Sequence, residues 1–346
     1  MKTAVFTDVG KIQIQEVERP AITPNKILIK VDACAICTWE QRVYTGVKEV
    51  DFPFIGGHEI SGEIIEMGSN ISNEIWQVGD KIVYGTNLAC GDCYFCKKGE
   101  EQNCMYFDHS KHLEGLPYKG MGGFSEYMLV ESKHIFKYNN VSALEASLTE
   151  PLSCVIHSVK RADIQFGDIV VIVGCGIMGQ LHIQLAKKRG ATVIASDINP
   201  ARLDHAKESQ ADYINNPEEE SLTDLIEEIS SGVGAQVIFD TTPISKVAEE
   251  LVELLSNLGK LVLYSSFYPD NPIKISPDTL HKKATQIMGT ANSNSSDFVE
   301  ATKMISEKTI NLSNFIDEVY PLDGIEDALI SATKGYKYRV VIDFNK

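Results

Sequence analysis

The first 150 positions carry short stretches in which apolar and polar residues alternate, broken by Gly and turn residues. KILIKVDA (26–33) sets Ile27, Ile29 and Val31 on one face, the period-two pattern of a strand with one covered side. EISGEIIEMGS (59–69) and QVGDKIVYG (77–85) repeat it, and GGFSEYMLV (122–130) adds a strand after a glycine pair. Short strands broken by Gly and turn residues predict an antiparallel, barrel-like β domain. Near residue 168 the pattern changes. IVVIVG (169–174) is a continuous apolar run, as in a strand buried on both faces. IMGQLHIQLAKKRG (177–190) reads as a helix closed by Gly190. TVIASD, a helix from Pro200, QVIFDTT, an amphipathic helix over KVAEELVELLSNLG (246–259) and the strand KLVLYSS follow. Strands alternating with helices predict βαβ units and a parallel sheet.

Beyond about residue 290 the pattern predicts a helix over DFVEATKMISEK, a further helical stretch over PLDGIEDALISATKG and a last strand, RVVIDF. That strand has no crossover after it, so the tail is expected to return to the first domain. The expected division is 1–155 with 291–346, and 156–290 between them.

The sequence has 346 residues, 43% apolar and 23% charged, ordinary values for a globular protein. Lys and Arg total 32 and Asp and Glu 48, a net charge of −16. So acidic a surface repels phosphate backbones and anionic lipid, which argues against nucleic acid and membrane surfaces as partners. The first 20 residues carry no apolar signal core, so a cytoplasmic protein is expected.

Chemistry concentrates in three places. VIVGCGIMGQ holds Gly174, Gly176 and Gly179 as G-x-G-x-x-G after a buried strand and at the start of a helix. That is the context of a dinucleotide site: a tight turn, close backbone approach to the pyrophosphate, and an anion at a helix N-terminus. Ile177 and Met178 complete the turn. Asp197 ends the next strand, where a carboxylate accepts hydrogen bonds from ribose and repels a 2′-phosphate, so NAD is favoured over NADP. Arg202, just beyond, would weaken that preference.

CGDCYFCKKGEEQNC places Cys90, Cys93, Cys96 and Cys104 as C-x2-C-x2-C-x7-C. Four thiolates close a tetrahedral shell, so the expected ion is a structural zinc. The long last gap and Met105 in place of Pro set it apart from an iron–sulfur run, and the acidic chain from a nucleic-acid knuckle. Finally, Cys37, GGHE (56–59) and TEPL (149–152) could together hold one metal ion.

In this order, Cys37, GGHE, QVGDKIV, the four-cysteine lobe, GGFSEY, TEPL, GCGIMG and Asp197 resemble the zinc-containing medium-chain dehydrogenases, the alcohol, sorbitol and threonine dehydrogenase superfamily. The resemblance covers essentially the whole chain. It implies a GroES-like β-barrel catalytic domain (1–155 and 291–346), a Rossmann NAD-binding domain (156–290), two zinc ions per subunit, and a homodimer or homotetramer. It implies that Cys37 and His58 are catalytic-zinc ligands. Glu59 is the carboxylate that flanks or exchanges onto the metal, and Glu150 the third ligand or the acid holding the zinc water. A Glu at 150 resembles the polyol and threonine branch, which implies a polyol, sugar alcohol, cyclitol or amino alcohol as substrate. Zinc would lower the alcohol's pKa, and hydride would pass to NAD.

One stretch departs from the resemblance. Relatives carry a relay hydroxyl two residues after the zinc cysteine, then Asp, and soon after a His. Here Trp39, Glu40 and Arg42 stand at those places, with Thr38 the hydroxyl that remains. Trp accepts no proton. Three arrangements fit: Trp39 walls the pocket while the proton leaves by Glu59, water or Thr38; Glu40 serves in its place; or the site binds ligand without turnover. His109, His112, His134, His182, His205 and His281 match no metal spacing, His157 reads as a packed helix residue, and Cys34, Cys154 and Cys175 as small buried side chains.

Overall fold

The computed structural model describes residues 1–85, 89–335 and 337–346. The chain divides into two compact units. One comprises Met1–Ser153 with Ser293–Lys346, the other Cys154–Asn292.

The first unit is built of two mainly antiparallel sheets. Four strands run in the order Lys11–Glu16, Lys2–Asp8, Phe54–Ile55, Lys119–Gly120. The larger sheet has seven. Its path is Ile316–Pro321, Arg339–Asp343, Ile27–Ala35, Glu59–Met67, Lys81–Tyr84 and Ile135–Lys137, with Tyr127–Val130 also paired to Ile27–Ala35. The returning tail is thus the strand beside Ile27–Ala35, antiparallel to it. Ile27, Ile29 and Val31 are fully buried within a core that also takes Phe6, Phe54 and Phe124, but Leu28, Asp32 and Cys34 are buried as well, so this central strand is covered on both faces and not on one.

The second unit is a six-stranded parallel sheet ordered Tyr213–Asn215, Thr192–Ser196, Ile169–Val173, Ala235–Asp240, Leu255–Leu263, Gln286–Gly289. Successive strands add outward from Ile169–Val173, first to one side and then to the other. This is the doubly wound Rossmann order, with the switch point beside Ile169–Val173.

One element differs from its sequence pattern. The helix expected over 246–259 spans only Ser245–Leu251, passes through a tight turn at Val252–Leu254, and gives way to the strand Leu255–Leu263. Leu255 already pairs with Ala235, and Leu258 sits at φ +64°, 71% exposed. Parallel pairing therefore overrides a helical period that would have buried Leu258. Among the described residues no helix is long and apolar enough to cross a membrane.

Candidate active site and dinucleotide turn

Strand register assembles the first site. Ala35 pairs with Glu59 on one side and with Val341 on the other. Cys37, His58, Glu59 and Arg339 all lie within two residues of that row, at one end of three adjacent strands. The donor atoms of Cys37, His58 and Glu59 lie within 4.8 Å of one another. A thiolate, an imidazole and a carboxylate so placed make a zinc donor set.

Local structure explains GGHE. Gly57 is at φ +88°, and a Cβ there would meet Gly123 C and Phe124 N at 2.8 Å. Only glycine takes that backbone against those neighbours. The turn aims the Gly57 N–H at Glu40 Oε1, 3.0 Å away, and His58 Nδ1 lies 2.6 Å from the same oxygen. Glu40 belongs to the helix Thr38–Tyr44, whose N-cap is Cys37, and is fully buried. It holds the His58 ring from behind, so Nε2 is the nitrogen left for a metal. Burial works against a charged His58, but the Glu40 carboxylate and Cys37 together outweigh it and raise the imidazole well above its ordinary range. Burial pushes the Cys37 thiol up.

Arg339 grips Glu59 through both oxygens, Nε to Oε2 at 2.9 Å and a terminal nitrogen to Oε1 at 2.8 Å. Both side chains are buried, the fork geometry that such a pair needs. Burial disfavours the guanidinium charge, yet Glu59 and Cys37 raise its pKa further. Glu150, in the first turn of Thr149–Ala162, is near enough to act on the Arg339 charge but stands outside the converging set of three. Thr38 is exposed. Trp39 is half-buried, 5.6 Å from Phe54 and edge-on to His58 at 6.3 Å between ring centroids.

Arg339 has no sequence signal beyond a cation opening an apolar strand. Glu40 was visible beside Cys37, but its work on His58 was not. Its full burial and its bonds to His58 and Gly57 commit it there, which weighs against Glu40 as a proton carrier in place of Trp39.

The four-cysteine lobe forms the second donor set. Sulfur separations are 3.9 Å for Cys90–Cys96, 3.5 Å for Cys93–Cys96 and 4.0 Å for Cys93–Cys104. Four sulfurs around one zinc at about 2.3 Å stand about 3.8 Å apart, so the spacing fits a closed tetrahedral shell. Backbone N–H groups of Asp92 and Cys93 point at Cys90 Sγ, at 3.4 and 3.3 Å, and lower that thiol's pKa. Those of Cys96 and Met105 bring Cys93 down to about 6, while burial pushes Cys96 up to about 12.

In the second unit, the glycine turn follows Ile169–Val173. Gly174 is at φ +88°, and a Cβ there would meet Thr241 Oγ1 at 2.6 Å. A Cβ on Gly179 would strike Gly174 O at 1.9 Å, which is the close packing of helix on turn. Gly176, the N-cap of Ile177–Lys188, has nothing within 4 Å of a Cβ. Open space against a bare helix N-terminus fits a pyrophosphate. Ile177 is buried and Met178 partly so. Asp197 Oδ2 accepts from Cys175 N at 2.6 Å and Oδ1 from Asn199 N at 2.8 Å, so the acid is fixed beside the turn. Arg202 pairs with Asp197 at 3.8 Å.

Residues 23–140 match the alcohol dehydrogenase GroES-like domain family and residues 178–307 the zinc-binding dehydrogenase family. The chain is 28% identical to a sorbitol dehydrogenase of Halalkalibacterium halodurans, over 99% of each chain. It is 29% identical to an erythritol/L-threitol dehydrogenase of Mycolicibacterium smegmatis, over 93% of this chain and 91% of that one. The 2R,3R-butanediol dehydrogenase structure from Bacillus subtilis superimposes with a TM-score of 0.85 over 99% of each chain, at 25% identity. With a GroES-like barrel, a Rossmann sheet and both zinc donor sets in place, the chain belongs to the zinc-type medium-chain dehydrogenase/reductase family.

Proposed function

We propose that this protein oxidises a secondary alcohol of the polyol, sugar-alcohol, cyclitol or amino-alcohol kind and passes the hydride to NAD. The observation that carries this is the convergence of Cys37, His58 and Glu59, backed by Glu40 and Arg339. Zinc and NAD are the cofactors: the ion polarises the substrate hydroxyl and the nicotinamide takes the hydride. Cys37, His58 and Glu59 hold the catalytic ion, and Glu150, outside that trio, is the acid that would hold the zinc water. Cys90, Cys93, Cys96 and Cys104 hold a second, structural ion. Gly174, Gly176, Ile177, Met178 and Gly179 cradle the dinucleotide, with Asp197 on the ribose and Arg202 beside it.

Trp39 forms a wall against the substrate. The released proton leaves by Glu59, water or the exposed Thr38 hydroxyl. A cytoplasmic homodimer or homotetramer is the assembly this reading carries. Eight free cysteines, four of them needed as thiolates in the lobe, suit a reducing compartment. The relatives' names, sorbitol and erythritol/L-threitol dehydrogenase, support the polyol class.

The test is NADH formation against a panel of polyols, cyclitols and amino alcohols. The expected result is turnover by zinc-loaded protein that is lost on chelation and restored by zinc. A protein that holds both ions, binds NADH and turns over no alcohol would refute the reading.

A further inference from the structure

A row of rings leads away from the metal donors. Trp39 meets His58 edge-on at 83°, and the same indole lies 5.4 Å from the ring of His109. His109 packs edge-on against Phe107, with centroids 4.5 Å apart. Both belong to the segment that follows Cys104, so the closed cysteine lobe anchors them. His109 is half-buried, and its Nδ1 lies 3.3 Å from the sulfur of Met121. A thioether has lone pairs and no proton to give, so the hydrogen belongs on Nδ1. That leaves a lone pair on Nε2, which meets no hydrogen-bonding group among the described residues. Burial above all brings the ring's pKa down to about 4. His109 is therefore a neutral acceptor at working pH.

We propose that His109 Nε2 binds substrate, accepting a hydrogen bond from a second hydroxyl beyond the reacting one, and that the substrate is therefore an uncharged polyol. This rests on the alcohol dehydrogenase reading above. Trp39 offers a flat apolar face to the polyol's C–H groups, and His109 reads the hydroxyl at its edge. A phosphate or carboxylate in that place would set its oxygens against the Nε2 lone pair, which offers an anion no hydrogen bond. The chemistry thus separates neutral polyols from polyol phosphates and sugar acids.

The experiment measures kcat/KM for four- to six-carbon polyols, their phosphate esters, and secondary mono-alcohols of matched length. It uses wild type, His109→Phe and His109→Gln. Calorimetric titration of each polyol into the zinc-loaded, NADH-bound enzyme gives a binding readout without turnover. His109→Phe keeps the stacked ring and removes the acceptor. It should lower kcat/KM and binding for polyols by about ten-fold or more while leaving the mono-alcohols unchanged. His109→Gln restores an acceptor oxygen and should recover most of the loss.

Equal losses on polyols and mono-alcohols, or none, would overturn the role of His109. So would a wild-type preference for the phosphate esters or for the mono-alcohols. If the Phe variant fails to fold, the Gln variant and the wild-type charge comparison still decide. No turnover of any alcohol by the wild type would instead bring down the dehydrogenase reading, and this inference with it.

Discussion

Replacing Glu40 by Ala separates the metal from the hydrogen bond that supports it. Glu40 is fully buried, with Oε1 2.6 Å from His58 Nδ1. Losing such a partner typically weakens a metal site about 10- to 100-fold, or about 1.4–2.7 kcal/mol. A charge-assisted hydrogen bond is worth about 1.5–3 kcal/mol, so two independent routes agree. The effect depends on pH, and the sign follows from His58. The same carboxylate that makes the imidazole a better ligand raises its pKa against the opposing effect of burial. In the zinc-free wild type, metal must then displace a proton, a competition that grows as pH falls and vanishes above the raised pKa. Without Glu40 the competition is weaker, since Cys37 alone then raises the imidazole against burial. The Kd ratio of variant to wild type should be largest at alkaline pH and shrink towards acid pH. Cys37 must also lose its proton in both proteins, and Glu40 acts on that thiol through His58. Chelator competition for the catalytic zinc from about pH 6 to about pH 9, across the range where histidines titrate, measures it. Glu40→Gln, which keeps an acceptor and loses the charge, should fall between. A ratio independent of pH, or largest in acid, would refute the pairing of Glu40 with His58.

Cys93→Ser should reduce the zinc content from two ions per chain to one and lower the melting temperature, since a structural zinc contributes directly to folding. Elemental analysis and thermal melting check this, and wild-type melting with both ions retained would contradict it. Asp197→Ser removes the ribose acceptor and releases Arg202 to meet a 2′-phosphate. NADH and NADPH titrations should show the preference for NADH falling about ten-fold or more, and a wild type that already prefers NADPH would contradict the reading of Asp197. Arg339→Leu leaves Glu59 buried and unpaired, a loss of about 3–5 kcal/mol in denaturant unfolding of zinc-free protein. A bound zinc would supply the missing positive charge, so the loss should be smaller with metal, and equal losses would place Glu59 away from the ion.

The fold was legible where the period changes. The unbroken apolar run at 169–173 followed by Gly174, Gly176 and Gly179 can hardly be anything but a buried strand opening into a helix. By contrast, Leu254, Leu255 and Leu258 suit a helical stripe and a strand equally. Only the pairing of Leu255 with Ala235 decides between them. At the metal, Cys37 and His58 were readable because each sits in a short motif of its own. Arg339 was not, because 280 positions separate it from Glu59 and only the register of Ala35 with both neighbouring strands brings the two together. The tautomer of His109 was beyond reach for the same reason, since Met121 fixes it from another segment.

The departure at Thr38, Trp39 and Glu40 is explained by helix geometry. Consecutive helical residues point about 100° apart, so three neighbours face three environments. Thr38 faces water, Trp39 the ring row of Phe54, His58 and His109, and Glu40 the interior. Glu40 keeps the histidine oriented, with one more methylene than the Asp of relatives, and still has Oε2 unpaired. The bonds from Glu40 to His58 and Gly57 are made without any atom of residue 39. Replacing a small hydroxyl there by an indole takes away a proton carrier and adds an apolar face, while Cys37, His58 and Glu59 stay converged. On the proposed reading, metal binding and substrate recognition sit on different sides of one short helix. We therefore expect substitutions on the Trp39 side to change which alcohol is accepted, and substitutions on the Glu40 side to change whether the ion is held.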